Sequence, residues 1–272
     1  MRIWDNSRTT ITQDMIIELS ILTTALYLLS ATASWVLFVR GTSSIAWLAA
    51  VSTVGALSGH AWLLHHFIDL GPGQDLHLVN VTGFLSWLIA LWIAGLSFRY
   101  ATRPLATIWY PLTAFCVWLP LLPYEEMVFF TWNHPSLLAH VLLSLLGLSL
   151  LGVAAIQALF IGWQLHRLHQ RAPLWLQMPS LESMENCLFQ LLWSGFLVLT
   201  VGLGVGFIFL GEIFEPHYLT KTLLSVLAWL VIGFLLWGHH RYGWRGRLAV
   251  KSTLLGVFVL LIAYLSSKGW TA

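Results

Sequence analysis

The chain has 272 residues, of which 58% are hydrophobic and 9% charged, with a formal net charge of +2 and a mean hydropathy of +0.80. Soluble domains carry roughly 25% charged residues, so this composition excludes one and makes the chain an integral membrane protein whose constant partner is the lipid bilayer. Nucleic acid is not an expected partner. Cys116 and Cys187 are isolated, and with no Cys-x-x-Cys-His the chain is neither a c-type cytochrome nor an evident thiol oxidoreductase. It also has no Walker loop, dinucleotide fingerprint or zinc-protease motif.

A helix needs about 20 apolar residues to cross roughly 30 Å of hydrocarbon. Eight such runs occur, near 16–39, 45–68, 77–98, 105–122, 136–161, 190–211, 220–238 and 248–265. They predict an all-α bundle of eight transmembrane helices forming a single domain over 1–272. Ala31-Thr32-Ala33 resembles a cleavage site, but Arg2 and Arg8 are outnumbered by Asp5, Asp14 and Glu18. A signal peptide starts positive, so the first helix is expected to be retained. The second span carries His60. The fourth is interrupted by Pro104, Pro111 and Pro120 and reads as a kinked span, since neighbours can satisfy the freed carbonyls. The fifth carries His140 one turn inside its start and reaches Ile161 without a charge. Residues 162–189 form the one substantial hydrophilic connector, in which Ser180 with Glu182 reads as a helix start running into the sixth span. The seventh span ends at His239.

Lys and Arg favour cytoplasmic loops. Nine of the thirteen follow odd-numbered spans: Arg40, Arg99, Arg103, Arg167, Arg171, Arg241, Arg245, Arg247 and Lys251. Both termini are therefore expected on the outer, periplasmic side. At about 1.5 Å per residue, His140 lies roughly 8 Å and His60 roughly 12 Å below the outer boundary. His239 lies about a bilayer thickness away. A strongly polar side chain at such depth is costly and marks a functional site by default.

Two neutral imidazoles facing each other across a helix bundle suit a haem iron. Ser136, His140, Ser144 and Gly147 share one helix face, a small-residue stripe allowing close approach, and Gly202 with Gly206 forms a second such pair. The plainer readings are that these stripes only pack helices and that the histidines are buried and hydrogen-bonded to a neighbouring helix. His65, His66, His77, His134 and His217 read as interfacial, and His166 and His169 as snorkelling beside Arg167 and Arg171. Most of the sixteen Trp, among them Trp35, Trp47, Trp109, Trp132 and Trp163, read as interfacial belts.

Three blocks carry a family resemblance: Leu137-Leu138-Ala139-His140, Leu181-Glu182-Ser183-Met184-Glu185 leading into Leu197-Val198-Leu199-Thr200-Val201-Gly202, and Trp237-Gly238-His239-His240-Arg241-Tyr242-Gly243-Trp244-Arg245-Gly246-Arg247. With these the chain resembles the CcsA/CcmC-type cytochrome c assembly proteins, in particular their YpjD and HemX-like branch. Gly59-His60 and Leu78-Val79-Asn80-Val81 extend the resemblance over nearly the whole chain. It implies a haem-handling membrane protein of eight helices, in which His140 matches an external-side haem histidine and His239 a histidine of the transmembrane haem site. The family's Trp-Gly-x-x-Trp-x-Trp-Asp loop is replaced here by Phe209-Leu210-Gly211-Glu212-Ile213-Phe214-Glu215-Pro216-His217-Tyr218, and the histidine expected after the last span is missing. Unaided ligation of haem to apocytochrome, and enzyme activity generally, are therefore not expected.

These readings predict a bacterial inner-membrane protein that handles haem b in cytochrome c assembly. His140 and His60 are the expected axial ligands, and His239 a candidate at the inner side. Arg241, Arg245 and Arg247 suit haem propionates or simply mark the cytoplasmic side. Expected partners are haem and other cytochrome c assembly or haem-synthesis proteins. Two alternatives are a HemX-like regulator or scaffold of haem synthesis working through the 162–189 loop, and a transporter using His60 and His140 as a proton relay.

Overall fold

The computed structural model describes residues 6–41, 44–70, 73–98, 103–124, 128–129, 135–170, 179–209 and 216–266. The helices are α1 (Asn6–Arg40), α2 (Ala46–Ile68), α3 (Leu78–Leu96), α4 (Arg103–Cys116), α5 (Pro135–His169), α6 (Leu181–Phe209), α7 (Pro216–Tyr242) and α8 (Arg247–Leu265). Two short strands, β1 (Gln74–Asp75) and β2 (Val128–Phe129), pair antiparallel with Gln74 opposite Phe129. Among the described residues, eight helical segments are long and apolar enough to cross a membrane, as the hydropathy pattern predicts. Among the described residues the regular structure is all-helical apart from that strand pair.

The boundaries differ where hydropathy and helix formation part company. α5 continues past the expected end at Ile161 to His169, because Gln164, His166 and Arg167 end the apolar run without breaking a helix. α6 starts at Leu181, as Ser180 and Glu182 predict, and the Ser180 hydroxyl accepts the Ser183 N–H at 3.3 Å. The fourth span is an α-helix through Pro111 that stops at Cys116, completed by a 3₁₀ turn at Leu119–Leu121 around Pro120. Proline removes an i→i−4 hydrogen bond and clashes with the preceding turn, so the kink expected from the prolines takes the form of a changed helix type.

The chain groups into two compact units, one containing α1–α4 with β1 and β2, the other α5–α8. The interior of the first is unusually polar. The buried face of α1 presents Ser20, Thr23, Tyr27, Ser30 and Ser34 toward a core that includes Ser52 and His60 of α2 and Thr113 of α4. Most of these groups are satisfied locally: Ser20 Oγ donates to the Ile16 carbonyl, Ser52 Oγ to Leu48, and the Ser30 hydroxyl is bonded to Thr53. The first two are bonds within one helix, whereas the Ser30–Thr53 bond joins α1 to α2, a useful tie between membrane helices that gain nothing from burying apolar surface against equally apolar lipid. Indole donors do the same. Trp109 Nε1 donates to the Ser86 carbonyl at 3.2 Å and Trp87 Nε1 to Leu57 at 2.9 Å, so Trp109, expected in the interfacial belt, ties α4 to α3. Trp35, Trp47 and Trp163 are exposed as expected, and Trp132 lies outside the described residues.

In the second unit α5 packs along α6 through glycines. A methyl group on Gly147 would sit 3.2 Å from the Leu199 backbone nitrogen, one on Gly202 3.3 Å from Leu143 Cβ, and one on Gly195 2.8 Å from the Leu151 side chain. The small-residue positions at 147 and 202 thus pack helices, the plainer of the two readings of that stripe.

Candidate functional site

His140 lies on the second turn of α5, half-buried against α6. Its Nδ1 is 2.8 Å from the Gly202 carbonyl oxygen. A carbonyl only accepts, so Nδ1 carries the proton and the neutral ring presents a bare Nε2 lone pair. Gly202 permits this because its missing side chain lets α5 approach closely enough for the imidazole to reach backbone. Lys221, on the second turn of α7, lies within electrostatic reach of the ring.

At the other end of the same unit, His239 repeats the pattern. Its Nδ1 is 2.8 Å from the Trp244 carbonyl, again leaving Nε2 bare, and its ring stacks on Phe189 of α6 at 3.4 Å between centroids and 14° between planes. The turn between α7 and α8 makes the contact. Gly243 (φ 68°) ends α7 with its N–H on the His239 carbonyl at 3.0 Å, the αL form of helix C-cap. Gly246 (φ 63°) begins α8, and any side chain on Gly238 would overlap the Trp244 indole. Each glycine of the 237–247 block therefore has a steric reason. Arg241 and Arg245 are exposed around this turn. His140 is held at Gly202 and His239 at Phe189, so thirteen residues of α6, about 20 Å of helix, separate the two.

His60 is different. It is 1% exposed within the first unit, with Nδ1 3.3 Å from the Tyr27 hydroxyl and the two rings edge to face. Tyr110 stacks obliquely on Tyr27 from α4, with centroids 5.8 Å apart. A ring so enclosed presents no open edge while this packing holds. His77, expected to be interfacial, caps α3 by accepting the Val79 N–H at 3.4 Å and stacks on Tyr124. Beside it the buried Asp75 and Asn80 pair at 3.0 Å. His65 pairs with Asp69 at 3.7 Å, and both side chains are well exposed. His134 and the side chain of His217 lie outside the described residues. Sequence reasoning missed the Gly202 carbonyl, Phe189, the Trp244 carbonyl and Lys221. Backbone acceptors leave no trace in side-chain patterns, and Phe189 is one apolar residue among many on α6.

The model of the family described as Cytochrome C assembly protein matches residues 76–272. The chain belongs to that family. Inner membrane protein YpjD of Escherichia coli strain K12 is 32% identical over 224 residues, covering 81% of this chain and 85% of that protein. The YpjD protein of E. coli O157:H7 is similar to the same extent. An uncharacterised 28.8 kDa protein of Azospirillum brasilense is 34% identical over 131 residues, 46% of this chain and 48% of its own. No solved structure matches significantly. With eight helices capable of spanning a membrane, the family member is a multi-pass protein of the bacterial inner membrane. The family match includes His140 and His239 and leaves out most of the helices that enclose His60.

Proposed function

We propose that this protein handles haem b within cytochrome c assembly. His140 would offer a ligand nitrogen for the iron near the outer face, and His239 another at the inner end of the same unit. Family membership supports the haem-handling role. The observation that carries the assignment of His140 is its 2.8 Å contact to the Gly202 carbonyl. Metal-ligating histidines characteristically donate their second ring N–H to a carbonyl or carboxylate, which fixes the tautomer and raises the basicity of the ligating nitrogen. The donor set therefore fits an iron porphyrin, which when bound supplies a redox-active iron in a flat, largely apolar ring.

The remaining roles belong to the chain. The α5–α6 glycine contacts hold His140 at a fixed spacing from its acceptor. Lys221 is a cation for a propionate at the outer end, and Arg241 and Arg245 are guanidiniums for one at the inner end. Loop charges orient both termini outward. His60 supports the first unit through Tyr27 in this reading. The role is binding and transfer of haem rather than its ligation to apocytochrome, because Phe209–Tyr218 lacks the tryptophan-rich motif.

The test is the reduced-minus-oxidised absorption spectrum of protein purified in mild detergent from haem-replete cells, with His140→Ala and His239→Ala alongside. A b-type spectrum reduced in each variant is expected. No Soret band in the unaltered protein, even after adding haemin, would overturn the assignment in favour of a scaffold acting through the inner extensions of α5 and α6.

A further inference from the structure

We propose that Glu185 is a positioning residue that sets the direction of the His239 imidazole from the neighbouring helix, acting through the α7–α8 turn. The inference rests on the reading of His239 as a ligand-bearing residue only for its functional consequence; the mechanical link stands on contacts. Glu185 is 8% exposed and forms no ion pair among the described residues. A buried charge without an ionic partner calls for a reason. Its Oε1 accepts the Gly246 N–H at 2.9 Å. Gly246 is the N-cap of α8, has a left-handed φ of 63° and, lacking a side chain, supplies no cap of its own, so α6 supplies an anchor for the start of α8. A carboxylate there is also favoured by the positive end of the helix dipole.

Two residues before Gly246, the Trp244 carbonyl accepts the His239 Nδ1–H at 2.8 Å. One turn after Glu185, on the same face of α6, Phe189 stacks against the His239 ring at 3.4 Å. α6 thus touches His239 in two ways, through a ring lying against the imidazole and through a carboxylate pinning the turn that carries its acceptor. Without the pin, the 243–246 turn keeps two positive-φ glycines and loses its tie to α6. The turn is then held from α7 alone, through the Gly243 N–H on the His239 carbonyl at 3.0 Å and the longer Trp244 N–H contact to the Gly238 carbonyl at 3.4 Å, so the Trp244 carbonyl can turn away and the imidazole reverts to a mixture of tautomers with Nε2 partly protonated.

The experiment uses full-length, haem-free protein in detergent with ¹⁵N-labelled histidine. Long-range ¹H–¹⁵N spectra report the tautomer of each ring at a pH where the rings are neutral, with His239→Ala assigning the signal. Unaltered protein should show His239 as the Nδ1–H tautomer. Glu185→Gln, which keeps an acceptor oxygen, should retain that signature, while Glu185→Ala loses it. Glu185→Asp keeps the charge but falls one methylene short, and should also lose it, which covers the case that Glu185→Ala does not fold. A His239 tautomer unchanged in Glu185→Ala or Glu185→Asp overturns the positioning role. Haemin titration in a His140→Ala background then tests the ligand reading separately. Affinity about tenfold weaker for Glu185→Asp than for Glu185→Gln supports both ideas. A tautomer that shifts while neither Glu185→Asp nor His239→Ala alters haemin binding supports the positioning role and removes His239 as a ligand.

Discussion

Replacing Gly147 with valine should weaken haem binding without touching any proposed ligand. A Cβ at Gly147 would lie 3.2 Å from the Leu199 nitrogen and 3.3 Å from Leu199 Cα and Cβ, whereas comfortable carbon contacts are about 3.5–4.0 Å. Two of these three atoms are backbone, so α6 itself must shift, by roughly 0.5 Å for the first methyl and on the order of 1 Å for the full side chain. His140 sits two turns earlier on the same face of α5, and its Nδ1 is 2.8 Å from the Gly202 carbonyl. An added 0.5–1 Å carries that contact beyond about 3.2 Å, the outer range of a good N–H···O bond. Overpacking costs roughly 1–3 kcal/mol, and losing an outer-shell partner of a metal-ligating histidine typically costs about 10–100-fold in affinity. Haemin titration followed at the Soret band, paired with thermal unfolding, reads both effects. Gly204→Val on α6 is the control, because a Cβ there meets nothing within 4 Å. Unchanged haemin affinity in Gly147→Val, or an equal loss in Gly204→Val, would refute the link between helix spacing and the His140 contact.

His60→Ala should lower the thermal stability of the protein, because it opens a cavity and strands the buried Tyr27 hydroxyl at a cost of about 1–3 kcal/mol, while haem content after purification stays at the unaltered level. Trp109→Phe should destabilise by about 1 kcal/mol in reversible unfolding, through loss of the indole donor to Ser86; an unchanged midpoint would return Trp109 to the interfacial belt. Lys221→Gln should weaken haemin binding more at low than at high ionic strength, since salt screens a charge–charge contact. A loss independent of salt would count against a propionate partner.

The eight spans were legible because hydropathy reports what lipid requires of a helix, and the α6 start was legible because Ser180 and Glu182 form a local capping signal. The 3₁₀ completion of the fourth span was half legible: Pro104, Pro111 and Pro120 announce a disturbance without saying which helix type relieves it. Gly147 and Gly202 announced close helix contact, though the backbone they would meet, at Leu199 and Leu143–Ser144, is set by register between α5 and α6.

The histidines mark the limit most sharply. His60 and His140 give nearly the same signal in sequence, an imidazole about five to eight residues inside a membrane boundary on an apolar helix. Depth follows from position along one helix, but the partner of Nδ1 comes from another, 33 residues away for His60 and 62 for His140. That partner decides the chemistry. A hydroxyl both donates and accepts, so Tyr27 leaves the tautomer of His60 open. A carbonyl accepts only, so Gly202 and Trp244 commit His140 and His239 to the form with Nε2 bare. What separates the two proposed ligands from His60 is therefore the kind of oxygen each one faces.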